Sequence, residues 1–375
     1  MELHTSLPAG QYTARTRWGT HASGAAFDRK KTPYLTQEAQ QFLAEPAVCV
    51  LTGLGPDHQL ASILALGTPG FVQAPDRQTC LVQLEPHLAT SRLVLGLRHA
   101  QSTGQVAHLG LFCMCHATRK RLCVQGTAEL LADPLLASPW PAHQSLWGGL
   151  QQLIFGRKPL PLPGQAQQVL WIRVQVTQAF FHCPKYIKTC IPGLTVPVGV
   201  ESARAWQASD FPGSSHASLS ETVRAFLAEQ MLCYLCTVDH AGQCAVNHRG
   251  GAPGFLVSFP PDATAPGGII LLPDYAGNGA FEALGNILET GQAALVVPNY
   301  ASHVALCVSG SAHILEVAEL RPELARRCVG AERVVALLVQ RIELQSGDWS
   351  LALAHARARA KAVMETRKLA AVCPR

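Results

Sequence analysis

The stretch Gly67-Thr68-Pro69-Gly70-Phe71 returns as Gly251-Ala252-Pro253-Gly254-Phe255, 184 residues further along the chain. Phe42-Leu43-Ala44-Glu45 returns at the same spacing as Phe226-Leu227-Ala228-Glu229. Cys123-Val124 with Gly126 and Ala128 likewise returns as Cys307-Val308 with Gly310 and Ala312. Three anchors in one register mark two diverged copies of a single unit. A period this long is that of a duplicated domain, because solenoid and propeller repeats run at roughly 20–50 residues. Such a chain is its own pseudo-dimer, and its functional surface is expected at the seam between the copies.

Composition agrees with two domains. A chain of 375 residues has room for two units of roughly 100–200 residues, each large enough to bury a core. With 48% hydrophobic and 15% charged residues it is not disordered. No apolar run approaches the roughly 20 residues of a membrane span. The start, Met1-Glu2-Leu3-His4, shows neither a basic nor an apolar export region, so a cytoplasmic protein without membrane contact is expected. The thirteen cysteines are odd in number, which suits reduced, buried thiols better than a disulfide framework. Cys113-Met114-Cys115 and Cys233-Tyr234-Leu235-Cys236 are the close pairs; both lie in strand-like runs, favouring core packing over a metal. The net charge of +5 is small. Its C-terminal concentration at Arg357, Arg359, Lys361, Arg367 and Lys368 reads as a solvated helix face, too sparse in aromatics for nucleic acid.

Each copy opens with a helical stretch, about 36–45 and about 220–230, the second capped by Ser220. Strands are expected near 231–238, 243–249, 254–259, 268–272, 293–298 and 303–313, with a helix over about 279–290 ended by Gly291. A terminal strand recurs as Leu170–Val176 and Leu338–Leu344. Many short strands, few helices and glycine-rich corners predict a mainly β fold of small antiparallel barrels with peripheral helices, not a doubly wound sheet. Residues 191–220 read as the linker. The first copy spans 1–200, and the second copy, with a C-terminal helix, spans 201–375.

Chemistry concentrates in the second copy. Arg249 ends a strand just before Gly250 and Gly251, so a guanidinium fork stands beside exposed backbone, an arrangement that suits phosphate. Asn278 and Asn286 lie at or near a helix start, where free N–H groups suit a phosphate or a heterocycle edge. The same residues are also compatible with an arginine–carboxylate pair and with ordinary turn and cap formation.

His248-Arg249-Gly250-Gly251-x-Pro253-Gly254-Phe255, Asp274-Tyr275-x-Gly277-Asn278 with Gly285-Asn286, and Val308-x-Gly310-x-Ala312 together resemble the ordered motifs of the pyridoxamine 5′-phosphate oxidase-like, FMN-binding split-barrel family. Cys183-Pro184-Lys185-Tyr186-Ile187 resembles a motif that follows the barrel in some members. The resemblance covers about 220–345 and, through the repeat, 36–190. It implies two tandem six-stranded split barrels packed as an intramolecular pseudo-dimer, which could pair again, with FMN held between them. Arg249, Gly250, Gly251, Asn278 and Asn286 would bind the cofactor, Lys185 and Tyr186 would reach it from the other copy, and His248 and Tyr275 are candidates to meet a small-molecule substrate. Gly279 stands where many relatives carry a basic residue. In the first copy, Ala65 or its neighbour Leu66 replaces Arg249 and Val94 replaces Asn278, so that site is degenerate and at most one FMN per chain is expected. The function implied is that of an FMN-dependent oxidoreductase; a non-catalytic flavin or haem carrier, or a scaffold with a vestigial site, are the alternatives.

Overall fold

The computed structural model describes residues 7–131, 170–185, 187–197, 205–211, 213 and 215–372, the last six as backbone only. Two helices, α1 (Ala9–Arg17) and α2 (His21–Asp28), precede the first sheet. The first half then opens with α3 (Gln37–Leu43), where the Thr36 hydroxyl accepts from the Ala39 N–H at 3.2 Å. Its strands are β1 (Val48–Leu54), β2 (Leu60–Leu66), β3 (Val72–Gln73) and β4 (Thr79–Leu84). After α4 (Arg92–Thr103) come β5 (Ala107–Cys115), β6 (Lys120–Leu131) and β7 (Leu170–Phe181).

The second half begins with the short β8 (Ser215–His216) and α5 (Glu221–Glu229). Here Ser220 accepts from the Val223 N–H at 3.2 Å, 184 residues after its counterpart. Then follow β9 (Leu232–Val238), β10 (Cys244–Gly250), β11 (Val257–Phe259), β12 (Ile269–Tyr275), α6 (Glu282–Thr290), β13 (Gln292–Asn299), β14 (Val304–Glu316) and β15 (Ala331–Ser346). The long helix α7 (Ser350–Val372) completes the described chain. No helix among the described residues is long and apolar enough to cross a membrane.

Both sheets are antiparallel and run in the same order. The first is β2-β1-β5-β6-β7-β4-β3 and the second β10-β9-β13-β14-β15-β12-β11, with β8 added beside β15. Each sheet curls into a half-barrel about its own core. The expected six strands are joined in each path by the very short β3 or β11.

The quoted turn has one structural role in both places. Gly67 donates to Ala47 at 3.1 Å and Gly251 to Met231 at 3.0 Å, while Phe71 and Phe255 close the turn onto Thr68 and Ala252. Gly70 and Gly254 sit at φ +94° and +86°, a region that disfavours a side chain.

The strands near the centre lack polar–apolar alternation because both their faces are covered. Cys49, Leu51, Ala61 and Ile63 point into the first half's own core, whereas Val48, Val50, Leu60 and Leu64 point into a second cluster between the halves. Cys233 and Leu235 likewise belong to the second half's core, and Tyr234, Cys236 and Val246 to the seam. The paired cysteines are therefore core residues. Burial pushes the thiols of Cys113, Cys233 and Cys236 upwards, and no metal cluster occurs among the described residues.

Three expectations need correction. Residues 205–220 are not merely a linker: Trp206 and Phe211 are buried against Phe226, and the Trp206 indole donates to Glu229 at 2.8 Å. The counterpart of Arg249 is Ala65, not Leu66, because Arg249 lies opposite Cys233 and Ala65 opposite Cys49. Val94 is not the counterpart of Asn278. It lies in the first turn of α4, whereas Asn278 precedes its helix, since the left-handed conformations of Gly279 and Phe281 delay α6 to residue 282.

The third anchor is a pair of bulges. Register shifts between Gln125 and Gly126 and between Ser309 and Gly310, and a Cβ at either glycine would collide with the facing carbonyl of Gln175 or Leu338. Gly126→Ala and Gly310→Ala are each expected to destabilise the fold by roughly 2–3 kcal/mol. Denaturant unfolding checks this, and parental stability in either variant would show that the bulge accommodates a side chain.

Candidate functional site

At one end of the seam, the last residues of β10, the end of β12 and the turn into α6 face a segment of the other half. Asn247, His248, Arg249 and Gly250 meet Arg121 from β6 and His182, Cys183 and Lys185 from beyond β7, around a cavity of ≈170 Å³. The strand register decides what each side chain does. His248 lies opposite Tyr234, on the seam face, while Arg249 lies opposite Cys233, on the inner face of its own half-barrel.

Arg249 accordingly reaches Asp274. Its Nη1 stands 2.5 Å from Oδ1, and Arg333 contacts the other carboxylate oxygen at 3.1 Å. The Arg333 guanidinium is also held against Trp18 and Phe281, 4.6 and 4.8 Å from the ring centres. Arg121 has no carboxylate partner among the described residues. Its Nε donates to the Cys183 carbonyl at 2.9 Å, and burial, with Arg249 nearby, pushes its pKa down to about 10.

Four buried atoms of residues that line the cavity have no hydrogen-bond partner: Asn247 Nδ2, His248 Nδ1, Arg249 Nε and His182 Nε2. Buried polar atoms are rarely left so, and such a group marks a place where water or a ligand can complete the bonding. The neighbouring histidines are neutral. His182 sits among Phe27, Phe112 and Phe180 and is pushed down to about 3 by burial, with Arg121, Lys31 and Arg249 adding to the effect. His248 lies well below its ordinary value through burial and the nearby His116, Arg121 and Arg249. His116, whose ring packs edge-on against His248 at 5.7 Å, is pushed down to about 4, chiefly by burial. Its Nδ1 lies 3.0 Å from the Lys188 carbonyl, which can only accept, so the proton of the neutral ring sits on Nδ1.

The structure brings together Lys185, His248, Arg249, Gly250, Tyr275 and Asn278 of the residues singled out by sequence. Gly251 is absent from the lining; a Cβ there would strike the Phe255 ring, so its smallness serves the turn. Asn286 is buried and donates to the Thr237 hydroxyl at 3.2 Å, tying α6 to β9. Asn278 lines the cavity, but its Oδ1 also accepts from the Ala280 N–H at 3.1 Å. Tyr186 lies outside the described residues. Sequence reading missed Arg121, His182 and Asn247. Arg121 stands two residues before the Cys123-Val124 anchor, where Ala305 stands before Cys307-Val308 in the other half, so a charge against alanine was the available signal.

It also missed the N-terminal helices. The Thr20 hydroxyl donates to the Gly279 carbonyl at 3.1 Å, Arg15 Nε to the Ala280 carbonyl at 3.2 Å, and Lys31 pairs with Glu282 at 2.6 Å. Thus α1 and α2, from the start of the chain, lie over the α6 end of the site.

FMN is the cofactor implied by the resemblance. The cations Arg121, Lys185 and Arg249 and the unpartnered Asn247 amide fit a phosphate group. The cavity as it stands, however, is smaller than the roughly 300–1,000 Å³ usual for cofactor-sized ligands, so the phosphate end fits and the ring system does not.

No family model matches the chain, and no curated protein matches it. Solved structures resemble parts of it. A Lactobacillus delbrueckii protein provisionally described as a pyridoxamine 5′-phosphate oxidase is 12% identical, covering 40% of this chain and 98% of its own, with a TM-score of 0.26. HutZ, a heme storage protein from Vibrio cholerae, is 13% identical, covering 34% and 94%, with a TM-score of 0.22. General Stress Protein 26 from Bacillus anthracis is 12% identical, covering 38% and 88%, with a TM-score of 0.21.

Two expected outcomes follow from the electrostatics. An unfolded histidine takes up a proton near pH 6.5, but folded His116 and His182 do so only near 4 and 3. Between those values the unfolded chain binds more protons, so stability is full above about pH 6.5 and falls as the pH drops towards 4. Unfolding midpoints across that range should show the decline, and His182→Phe should make it shallower. Asp274→Asn removes the carboxylate shared by two partly or fully buried arginines and is expected to destabilise by about 3 kcal/mol. Chemical denaturation measures it, and a loss near zero would mean that the arginines find other partners.

Proposed function

We propose that the chain is a duplicated split barrel of the pyridoxamine 5′-phosphate oxidase-like family, its halves meeting near residue 200, with one FMN-type site per chain at the seam. The observation that carries this reading is the convergence of Arg121, Lys185 and Arg249 on one cavity whose lining residues hold four unpartnered buried polar atoms. Arg121 and Lys185 would hold the phosphate, with Arg249 contributing Nε while its Nη1 stays on Asp274. Bound FMN would supply one- or two-electron transfer through its ring. Oxidoreductase activity on a small-molecule substrate, in the cytoplasm, belongs to the same proposal.

The equivalent place at the other end of the seam supports a single site. The counterpart of His248 is Leu64, which lies in the apolar seam, and the Leu64 N–H donates to Gln345 at 2.9 Å. Trp349, just before α7, and Leu353 within it are buried in the same cluster. None of these four residues carries a cation to meet a phosphate.

A second reading, a carrier without turnover, is favoured by the histidines. Burial keeps His182 and His248 neutral at physiological pH, so neither offers an imidazolium there as a general acid.

The deciding experiment is titration of the protein with FMN, with inorganic phosphate as competitor. Saturation at one FMN per chain or less is expected, with affinity weakened about ten- to a hundredfold by Arg121→Ala, as for loss of a charge-assisted hydrogen bond. Reduction of the bound flavin by a pyridine nucleotide, followed by reoxidation, distinguishes enzyme from carrier. Two FMN per chain, or an Arg121→Ala variant that binds like the parent, would sink the site assignment.

A further inference from the structure

The N-terminal helices dock on the site through glycines on both sides of the contact. A Cβ on Gly10 would collide with the Gly285 carbonyl, and one on Gly285 would press into Gln11 of α1. Gly24 of α2 approaches the Gly279 carbonyl so closely that a Cβ would lie 2.8 Å from it, and a Cβ on Gly279 would meet Ser23 and Thr20. Gly279 also has φ +70°, so both its conformation and its surroundings exclude a side chain. The docked surface is the turn from Gly279 to Gly285 that leads into α6, most of which also lines the seam cavity. Position 279 is where the resemblance leads one to expect a basic residue, and α2 occupies the space that its side chain would need.

Polar bonds fasten the hairpin. Arg15 is buried, with Nε on the Ala280 carbonyl and Nη1 on Asp28 at 2.7 Å. Lys31 spans Asp28 and Glu282 at 3.2 and 2.6 Å, and the Gly10 N–H meets Glu289. The hairpin nonetheless leaves buried atoms unsatisfied, Gln11 Oε1 and Arg15 Nη2 among them. Each such atom is a hydrogen bond lost on docking, so the docked state is held with part of its bonding wasted.

We propose that α1 and α2 form a built-in cover for the seam site: docked, they leave space for a phosphate-sized anion, and displaced, they admit the remainder of an FMN-sized ligand. This rests on the reading of the seam cavity as a phosphate-cofactor site. A ligand that needs the open state binds with an affinity reduced by the fraction of molecules that are open. Loosening the hairpin therefore strengthens FMN binding and leaves phosphate binding unchanged.

The test uses the full chain and its Gly10→Val variant, titrated separately with FMN and with inorganic phosphate. FMN is expected to bind the variant at least about tenfold more tightly than the parent, with phosphate affinity equal in both. Amide hydrogen exchange on the parent protein supplies a measurement that needs no variant: FMN should speed exchange in residues 9–28, and phosphate should not. Equal FMN affinity in parent and variant, or exchange in 9–28 that FMN leaves unchanged, overturns the cover while leaving the site intact. Failure of both proteins to bind either FMN or phosphate overturns the site itself, and the cover with it.

Discussion

Everything distinctive about this chain depends on strands that are buried on both faces. In β1, β2 and β9, alternate side chains serve two cores, one inside each half-barrel and one between the halves, while β10 sends Cys244 and Val246 to the seam. A single-residue slip in any of these strands would exchange the two sets, placing Tyr234 inside a half-barrel and Cys233 at the seam. The seam is sensitive to such a slip because it contains polar groups that must meet, including the Tyr234 and Tyr300 hydroxyls at 3.1 Å. It also fixes which residues of β10 face the cavity.

The asymmetry of the two ends follows from the same geometry. His248 and Leu64 hold equivalent register positions, yet one end keeps polar atoms without partners and the other is closed by Gln345, Trp349 and Leu353. Asp274 is the counterweight at the polar end. By joining Arg249 to Arg333, it ties a residue beside the cavity to Trp18 and Phe281 beneath the N-terminal hairpin.

Much of the fold was legible because its anchors are local. Ser220 caps α5, Gly291 ends α6 in a left-handed conformation, and the Gly-x-Pro-Gly-Phe turn repeats its hydrogen bonds. The site was legible only in part. Lys185, His248, Arg249, Gly250, Tyr275 and Asn278 converge, but Gly251 and Asn286 turned out to support a turn and a helix contact. Arg121 and His182 come from the other half, and α1 meets α6 across some 275 positions of sequence, as at Gly10 and Gly285. No short pattern records a contact between such distant segments. Trp206 and Phe211 were hidden for a different reason: two isolated aromatics in a proline- and serine-rich stretch show no period, although both are core residues.

The two ends of the chain are crossed. The N-terminal hairpin covers the second half, while α7, from the far end, places Ala360 in the first half's core with Val363 packed beside it. On a ribosome, the first half-barrel would emerge with its own cap not yet made, and its early helices would have nothing to rest on until the second sheet formed. The last packing contacts of each half thus form only once the other half is present, so the final folding steps join the two.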